Sequence, residues 1–323
     1  MHLLVTGAAG FIGSNFVRMI AQGSFPKISR VTVLDKLTYA GNIKNLEQAK
    51  IMSNYKFVEG DICNAGLIRD LLADVDAVIN FAAESHVDRS IQGAADFVQT
   101  NIVGVQILLD ECKATQRDLR FLQVSTDEVY GSIQSGSWSE ESPLSPNSPY
   151  SASKAAGEML ARSYYKTHGL DVVITRCSNN YGPYHFPEKL IPLFITNLIE
   201  GKKVPVYGNG NNVRDWLHVD DHCYGVYAAL TCGKKGEVYN IGGGTELTNK
   251  EITYLILEEM GESDSAIEYV EDRKGHDLRY SVDWSKAKVE LDYQPQINFE
   301  QGLRETIQWY KANEFWWKPL KEH

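Results

Sequence analysis

The chain has 323 residues, 43% of them apolar and 23% charged, which fits an ordinary globular protein of one large domain or a main domain with a smaller partner. A formal net charge of −10 without a basic stripe argues against a nucleic-acid or anionic-membrane surface, and no apolar run approaches the length of a membrane span. Five scattered cysteines, Cys63, Cys112, Cys177, Cys223 and Cys232, form no CxxC pair and read as reduced packing residues of a cytoplasmic protein, with neither disulfide nor metal roles.

In chain order, Leu3–Val5 reads as a buried strand that breaks at Gly7. Entering this strand at residue 2 leaves no room for a signal peptide. A helix follows over about Phe11–Ala21, with Phe11, Ile12, Phe16, Val17 and Ile20 on its apolar side. Gly7, Gly10 and Gly13 stand on the turn at a spacing of three. Such a turn cradles a diphosphate. One glycine permits the tight bend, the second lets backbone approach the anion, and the third lets helix and strand pack closely.

Val31–Leu34 is a second strand, closed by Asp35, 22 positions after Gly13. An acid at that distance receives a ribose 2′-hydroxyl and repels a 2′-phosphate, which favours NAD over NADP; Lys36 beside it weakens the exclusion. Tyr55–Ile62 reads as a third strand ending at Asp61, Ala65–Ala73 as a helix, and Ala77–Ala83 as a fourth strand. A long helix is expected over Ala94–Ala114, then a strand over Phe121–Val124. This alternation predicts an α/β fold of Rossmann type, a doubly wound parallel sheet with ligands at the carboxyl ends of its strands. That rule selects Gly7–Gly13, Asp35, Asp61, Ala82–Asp88 and Ser125–Tyr130.

Ser132–Pro149, rich in Ser, Pro, Gly and Asn, reads as a loop over the site with the composition of a lid. A helix runs from Tyr150 to about His168, and Val172–Thr175 is another strand. Beyond Ser178 the alternation dissolves. We therefore expect a dinucleotide-binding domain over 1–177, rejoined by 215–232, and a smaller mixed α/β substrate domain over 178–323.

Tyr150 and Lys154 stand at i and i+4 on one helical face. A free tyrosine, with a pKa near ~10, is a poor base at neutral pH. A neighbouring lysine cation favours the phenolate, so the pair can deprotonate a hydroxyl while hydride leaves the same carbon. An ordinary amphipathic helix with one exposed lysine is the plain alternative.

The segments TGAAGFIG, YSASK and SNNYGPYHFPEKLIP together resemble the extended short-chain dehydrogenases that act on nucleotide sugars, over nearly the whole chain. Ser125-Thr126-Asp127-Glu128-Val129-Tyr130-Gly131 narrows the resemblance, because an adjacent Asp-Glu looks like the dTDP-glucose 4,6-dehydratases. The resemblance implies NAD, dTDP-glucose as substrate and dTDP-4-keto-6-deoxyglucose as product. Thr126, Asp127, Glu128, Tyr150 and Lys154 would be catalytic. Glu128 would take the C5 proton, made acidic by a C4 ketone, and Asp127 would protonate the departing C6 hydroxyl. Both acids can reach one sugar only if the strand ends or bulges at Thr126, so irregular backbone is expected there.

The cofactor set is completed by Phe11, Ile12, Lys36, Thr38, Asp61, Ile62, Ala82, Ala83, Ser85 and Asn180. The substrate side would comprise His86, Thr126, Asn179, Lys189, Leu190, Arg214, Asn249, Arg273 and His276, with Pro205 and Tyr207 beside the pyrimidine. Thr248-Asn249-Lys250-Glu251 also has the pattern of a helix capping box, a competing role for Asn249. The family usually has proline where Lys274 stands. Thymine differs from uracil by one methyl, worth only about 1–3 kcal/mol.

Two other readings share much of this pattern. A nucleotide-sugar 4-epimerase or decarboxylase would use the same glycines, Tyr150 and Lys154, but not the paired acids. A non-catalytic NAD-sensing protein would need none of the four. Phe97, Val105, Leu108, Leu109, Met159 and Leu160 give helices 94–114 and 150–168 more than one apolar face, which suggests a homodimer through a four-helix interface, as in the family.

Overall fold

The computed structural model describes residues 1–321. Its strands are β1 (His2–Thr6), β2 (Arg30–Asp35), β3 (Tyr55–Glu59), β4 (Ala77–Asn80), β5 (Arg120–Thr126), β6 (Asp171–Cys177), β7 (Asn179–Tyr181), β8 (Val204–Tyr207), β9 (Val213–His218), β10 (Val238–Ile241), β11 (Glu246–Thr248) and β12 (Ile267–Val270). Seven of them build one sheet in the order β10-β6-β5-β4-β1-β2-β3. Every pairing in it is parallel. Both faces are covered, which is why β1 is apolar without alternation. Leu3 and Val5 point into one core, with the helix Phe11–Ala21; Leu4 points into the other, with the helix Val105–Ala114. The strand order reverses between β1 and β4, so the ligand crevice opens there.

Two expected strands stop early. β3 ends at Glu59 and β4 at Asn80, because the residues beyond leave the ladder for the crevice. Asp61, for instance, accepts the Cys63 amide at 2.9 Å instead of pairing along the sheet. The long helix expected from Ala94 begins as Ala95–Val98, widens into a π-helical turn over Gln99–Gly104 and resumes as Val105–Ala114. The Asn101 carbonyl there sits where a Cβ on Gly157 would be only 2.4 Å away, so this helix and the Pro149–His168 helix touch backbone to backbone. The latter starts on a capping box at Ser148, with Pro149 in its first turn, and stops at Gly169 in the left-handed region.

The second region is not continuous in sequence. The helix Val219–Cys232 packs Val219, Cys223, Val226, Ala229 and Leu230 into the core behind β1. Residues 215–218, however, belong to β9 in a separate three-stranded sheet, β11-β9-β7. The return to the main sheet also reaches further than 232, because β10 pairs with β6. Val238–Ile241 is a short, fully buried run; its backbone pairs with β6, while the Asn240 amide donates to Glu140 Oε1 and the Val238 carbonyl accepts from Lys286 Nζ, both at 2.8 Å. Four further helices, Leu190–Ile199, Asn249–Met260, Phe299–Ala312 and Glu314–Lys321, enclose a core around Tyr181, Ile256, Leu303 and Trp317.

The basis for the expected dimer helices changes. Phe97, Val105, Leu108 and Leu109 are buried inside the subunit and Leu160 is half-buried; only Met159, 62% exposed, faces outward. The 132–149 loop is tied down rather than free. Trp138 exchanges backbone hydrogen bonds with Ser281 and Asp283 at 2.9 and 2.8 Å, and Asn147 Nδ2 donates to Asp277 Oδ1 at 2.6 Å.

Candidate active site

One cleft of about 430 Å³ runs along the carboxyl ends of the parallel strands and under the second region. Every residue expected to bind or react lines it. At one end is the glycine turn. Gly7 has φ +66°, and a Cβ on it would lie 2.5 Å from the Ala82 amide nitrogen. A Cβ on Gly13 would lie 2.3 Å from the Gly7 carbonyl. Gly10 is different: a Cβ there meets only the Gly7 carbonyl at 3.4 Å, so it faces the open cleft. Gly10 is also the N-cap of the Phe11–Ala21 helix and offers no side-chain cap. The first amides of that helix are left for an anion.

Asp35 is turned onto this turn. Its Oδ2 accepts the Ala9 amide and its Oδ1 the Leu37 amide, both at 2.8 Å. Burial pushes its carboxyl above the ordinary range, against those two hydrogen bonds and Lys36. Leu37 and Tyr184, both beside the cleft, are non-glycine residues at φ 53° and 67°. Lys36 reaches Asp61 at 3.5 Å and Thr100 at 3.4 Å. Burial opposes ionisation of Asp61, but the Cys63 amide and Lys36 outweigh it and hold its carboxyl low. Thr38, Ile62, Ala82, Ala83 and Ser85 continue this wall, with Asn180 across from it. An uncapped helix end, a bare Gly10 and small residues after β4 fit a dinucleotide.

The middle of the cleft holds the paired acids. β5 ends at Thr126 and a single 3₁₀ turn, Asp127–Tyr130, follows, as the reach of two adjacent acids requires. Thr126 Oγ1 accepts the Glu128 amide at 3.3 Å and donates to Asp127 Oδ1 at 3.2 Å. The other oxygen, Asp127 Oδ2, is buried without a partner. Burial, then Glu128 and Asp215, raise the Asp127 carboxyl well above its ordinary value. Glu128 is also raised by burial, but Arg214, Lys189 and Arg273 all oppose this. The two acids therefore sit in opposite fields, the neutral form favoured more strongly at Asp127.

Tyr150 and Lys154 lie beside them, but the expected lowering of Tyr150 by Lys154 is not what this arrangement produces. Lys154 Nζ donates to the Val124 carbonyl at 2.7 Å, so its charge is directed at the strand. Burial lowers its ammonium to about 8. Burial, Glu128, Cys177 and Asp127 push the Tyr150 phenol well above its ordinary value, opposed by the Thr126 hydroxyl.

At the far end, Arg214 lies 4.4 Å over the Tyr280 ring and donates to the carbonyls of Val213 and Asp277 at 2.7 and 3.0 Å. Lys189 donates to the Ser85 carbonyl at 3.2 Å, just before Leu190 opens its helix. Burial, then Lys189, lowers His86 to about 4, leaving it neutral. Arg273 grips Asp88 through two hydrogen bonds of 2.6 and 2.8 Å and lies 5.4 Å from the Tyr207 ring centre. His276 stands edge-on to that ring at 6.4 Å and bonds Asp272 at 2.7 Å. Pro205 and Tyr207 present β8 to the cleft. The capping box at Thr248 and Glu251 is formed, and Asn249 both opens the helix and lines the cleft. Its Oδ1, like Asn179 Oδ1, is buried without a partner. An unpaired buried acceptor costs about 1–3 kcal/mol, and with no partner on the oxygen either amide can turn its Nδ2 toward an anionic ligand.

Several neighbours were not singled out from the sequence, although His185 and Glu188 lie within the SNNYGPYHFPEKLIP segment. His185 stacks on Phe11 at 4.1 Å. Glu188 pairs with Arg89 at 3.3 Å, and Arg89 covers the Tyr39 ring at 3.8 Å. Asn101 ties Ser153 to the Glu84 carbonyl at 2.9 and 3.0 Å. For Asn101 the available signal was an asparagine in the middle of an apolar helix.

Residues 4–306 match the family model described as GDP-mannose 4,6-dehydratase. The chain is 56% identical to a dTDP-glucose 4,6-dehydratase of Streptomyces niveus, covering 99% of this chain and 96% of that one. A Streptomyces venezuelae dTDP-glucose 4,6-dehydratase, crystallised with NAD bound, superposes with a TM-score of 0.97 at 56% identity, covering 99% of this chain and all of that one. A UDP-glucuronic acid 4-epimerase of Bacillus cereus superposes with a TM-score of 0.89 at 31% identity, over 97% of this chain and 99% of that one.

Proposed function

The chain belongs to the family that the GDP-mannose 4,6-dehydratase model describes, among the extended short-chain dehydrogenases, and on that premise we propose that it is an NAD-dependent hydro-lyase converting dTDP-glucose to dTDP-4-keto-6-deoxyglucose. The observation that carries this reading is the Asp127–Glu128 pair on one 3₁₀ turn beside Tyr150, with burial favouring the neutral form of Asp127 and Glu128 facing three cations.

When bound, NAD takes up the C4 hydride and gives it back at C6. Gly7, Gly10 and Gly13, with the free amides of Phe11, Ile12 and Gly13, would hold its diphosphate, and Asp35 its ribose. Tyr150 accepts the C4 hydroxyl proton, a step that needs a positive charge beside the phenol because Lys154 alone does not supply it. Glu128 removes the C5 proton and later returns it to C5. Asp127 protonates the departing C6 hydroxyl, which leaves as water, and regains its proton at the expense of the one held by Tyr150. Arg214, Lys189, Asn179, Asn249, Arg273 and His276 surround the sugar-nucleotide diphosphate, with Arg214 suited to a forked grip. Pro205 and Tyr207 would hold the base.

The test is parallel incubation of purified protein and NAD with dTDP-, UDP- and GDP-glucose, with products identified by mass. Loss of water from dTDP-glucose is expected, and Glu128→Gln should lower its rate by about 10²–10⁴-fold. A product of unchanged mass, isomerised at C4, would instead make the protein an epimerase.

Two further parts of the reading are a cytoplasmic setting, supported by five unpaired cysteines, and a homodimer. Among the described residues no helix is long and apolar enough to cross a membrane. The dimer is supported by Met159 and Val98, 62% and 46% exposed on the two outward helices. Light scattering at the mass of one chain would exclude it.

A further inference from the structure

The final helix, Glu314–Lys321, is remote in sequence from the glycine turn, yet it reaches it. Trp316 is 4% exposed and lines the cleft. Its indole N–H donates to Asn45 Oδ1 at 2.8 Å, and Asn45 Nδ2 donates to the Ala9 carbonyl at 2.9 Å. The Ala9 amide is held by Asp35 at 2.8 Å. Both backbone polar groups of the residue at the centre of the turn are therefore fixed from outside it. An amide that accepts at its oxygen and donates at its nitrogen cannot flip without setting like against like, so the Trp316 N–H sets the direction of Asn45.

The surroundings reinforce this contact. Tyr184, in the left-handed region, stands edge-on to Trp316 at 5.4 Å, over the Arg18 guanidinium at 4.0 Å. Arg18 in turn donates to the Asn45 carbonyl at 3.2 Å. At the other end of the helix, Lys321 Nζ donates to Thr196 Oγ1 at 3.2 Å and Asn197 Oδ1 at 2.8 Å. Those residues belong to the helix Leu190–Ile199, which opens on the sugar-nucleotide side of the cleft.

We propose that the Glu314–Lys321 helix is a tie between the cofactor cradle and the sugar-nucleotide helix, in which Trp316 is a positioning residue that fixes Asn45, and through it the glycine turn, and so slows release of NAD. This rests on the NAD reading above. Trp316 touches no reacting atom and acts through Asn45. Plain aromatic packing of the last helix would need the ring but not its N–H.

Trp316→Phe keeps a buried ring and deletes that N–H. Protein loaded with NADH is chased with excess NAD, and release is followed by loss of the bound NADH fluorescence. One neutral hydrogen bond predicts release about five-fold faster in Trp316→Phe. Asn45→Ala should be at least as fast, and the double variant no faster than Asn45→Ala, because the two residues act in series. Release from Trp316→Phe at the wild-type rate, or effects that multiply in the double variant, would overturn the proposal. If the phenylalanine variant does not fold, Asn45→Ala decides alone, and wild-type release from it sinks the idea. Wild-type protein that binds no NADH would sink the proposed function instead.

Discussion

Asp127 and Glu128 are neighbours with the same chemistry and opposite surroundings. Asp127 is 3% exposed, with one oxygen unpartnered and two further carboxylates acting on it. Glu128 has three cations acting on it. The proposed reaction needs a protonated Asp127 and an ionised Glu128. Since both carboxyls are raised, the rate should fall as pH drops through the Glu128 value, above the ordinary glutamate range, and fall again as pH rises through the higher Asp127 value. The expected kcat profile is a bell. Asp127→Asn, which cannot donate its acidic proton, should be slower by about 10²-fold or more and should lose the alkaline limb. An unchanged alkaline limb in that variant would assign the limb to another group, with Tyr150 the first candidate.

At the scale of elements, a buried ion pair holds the catalytic pieces together. Glu158 lies one turn beyond Lys154 on the same helix and is fully buried, as is Arg176 on β6. Arg176 Nε bonds both Glu158 oxygens at 3.1 and 3.0 Å. It also bonds the hydroxyl of Tyr130, which closes the 3₁₀ turn of the acids, and the Glu140 carbonyl at 3.3 Å. Tyr130 in turn donates to Asn240 on β10 at 2.8 Å. One guanidinium thus joins the tyrosine helix, the acid turn, the 132–149 loop and the returning strand. Glu158→Ala leaves that charge buried and unpaired, so it should cost about 3–5 kcal/mol in urea melts. Replacing both partners, with Glu158→Leu and Arg176→Met, should cost less, because no charge is then stranded.

Over the whole molecule, burial of neutral histidines is one effect that weakens the fold in acid. His222 is completely buried; its Nδ1 bonds Asn180 Oδ1 at 2.9 Å, its Nε2 has no partner, and burial lowers it to about 3. His86 is lowered to about 4, and His185 lies well below the ordinary value. The unfolded chain binds these protons near pH 6.5 and the folded chain does not. Their stabilisation is therefore complete above about 6.5 and is lost as pH falls toward the folded values. Each such group contributes a slope of about 1.4 kcal/mol per pH unit in that window. The raised carboxyls of Asp127 and Glu128 act in the opposite sense as pH falls, so the test is a difference between proteins: in urea melts between pH 7 and 5, His222→Gln should lose less stability per pH unit than the wild type, by about one histidine's share. A slope unchanged by that variant would mean that His222 is protonated in the fold.

The sequence by itself determined the sheet, the glycine turn and which residues meet in the cleft. Apolar runs, helical periods and glycine spacing are local signals, each written within one or two turns of chain, and the site residues, many of them drawn from the family resemblance, all line one cleft. The break at Thr126 was legible too, because two adjacent acids cannot share a substrate on a continuing strand. Only the tertiary structure decided that Lys154 addresses Val124 rather than Tyr150, that Phe97 and Leu108 face inward, that β10 closes the sheet, and that Trp316 reaches Asn45. Those facts depend on which distant segment arrives beside which. Direction of a hydrogen bond, burial and charge environment are properties of that meeting, and no spacing along the chain encodes them.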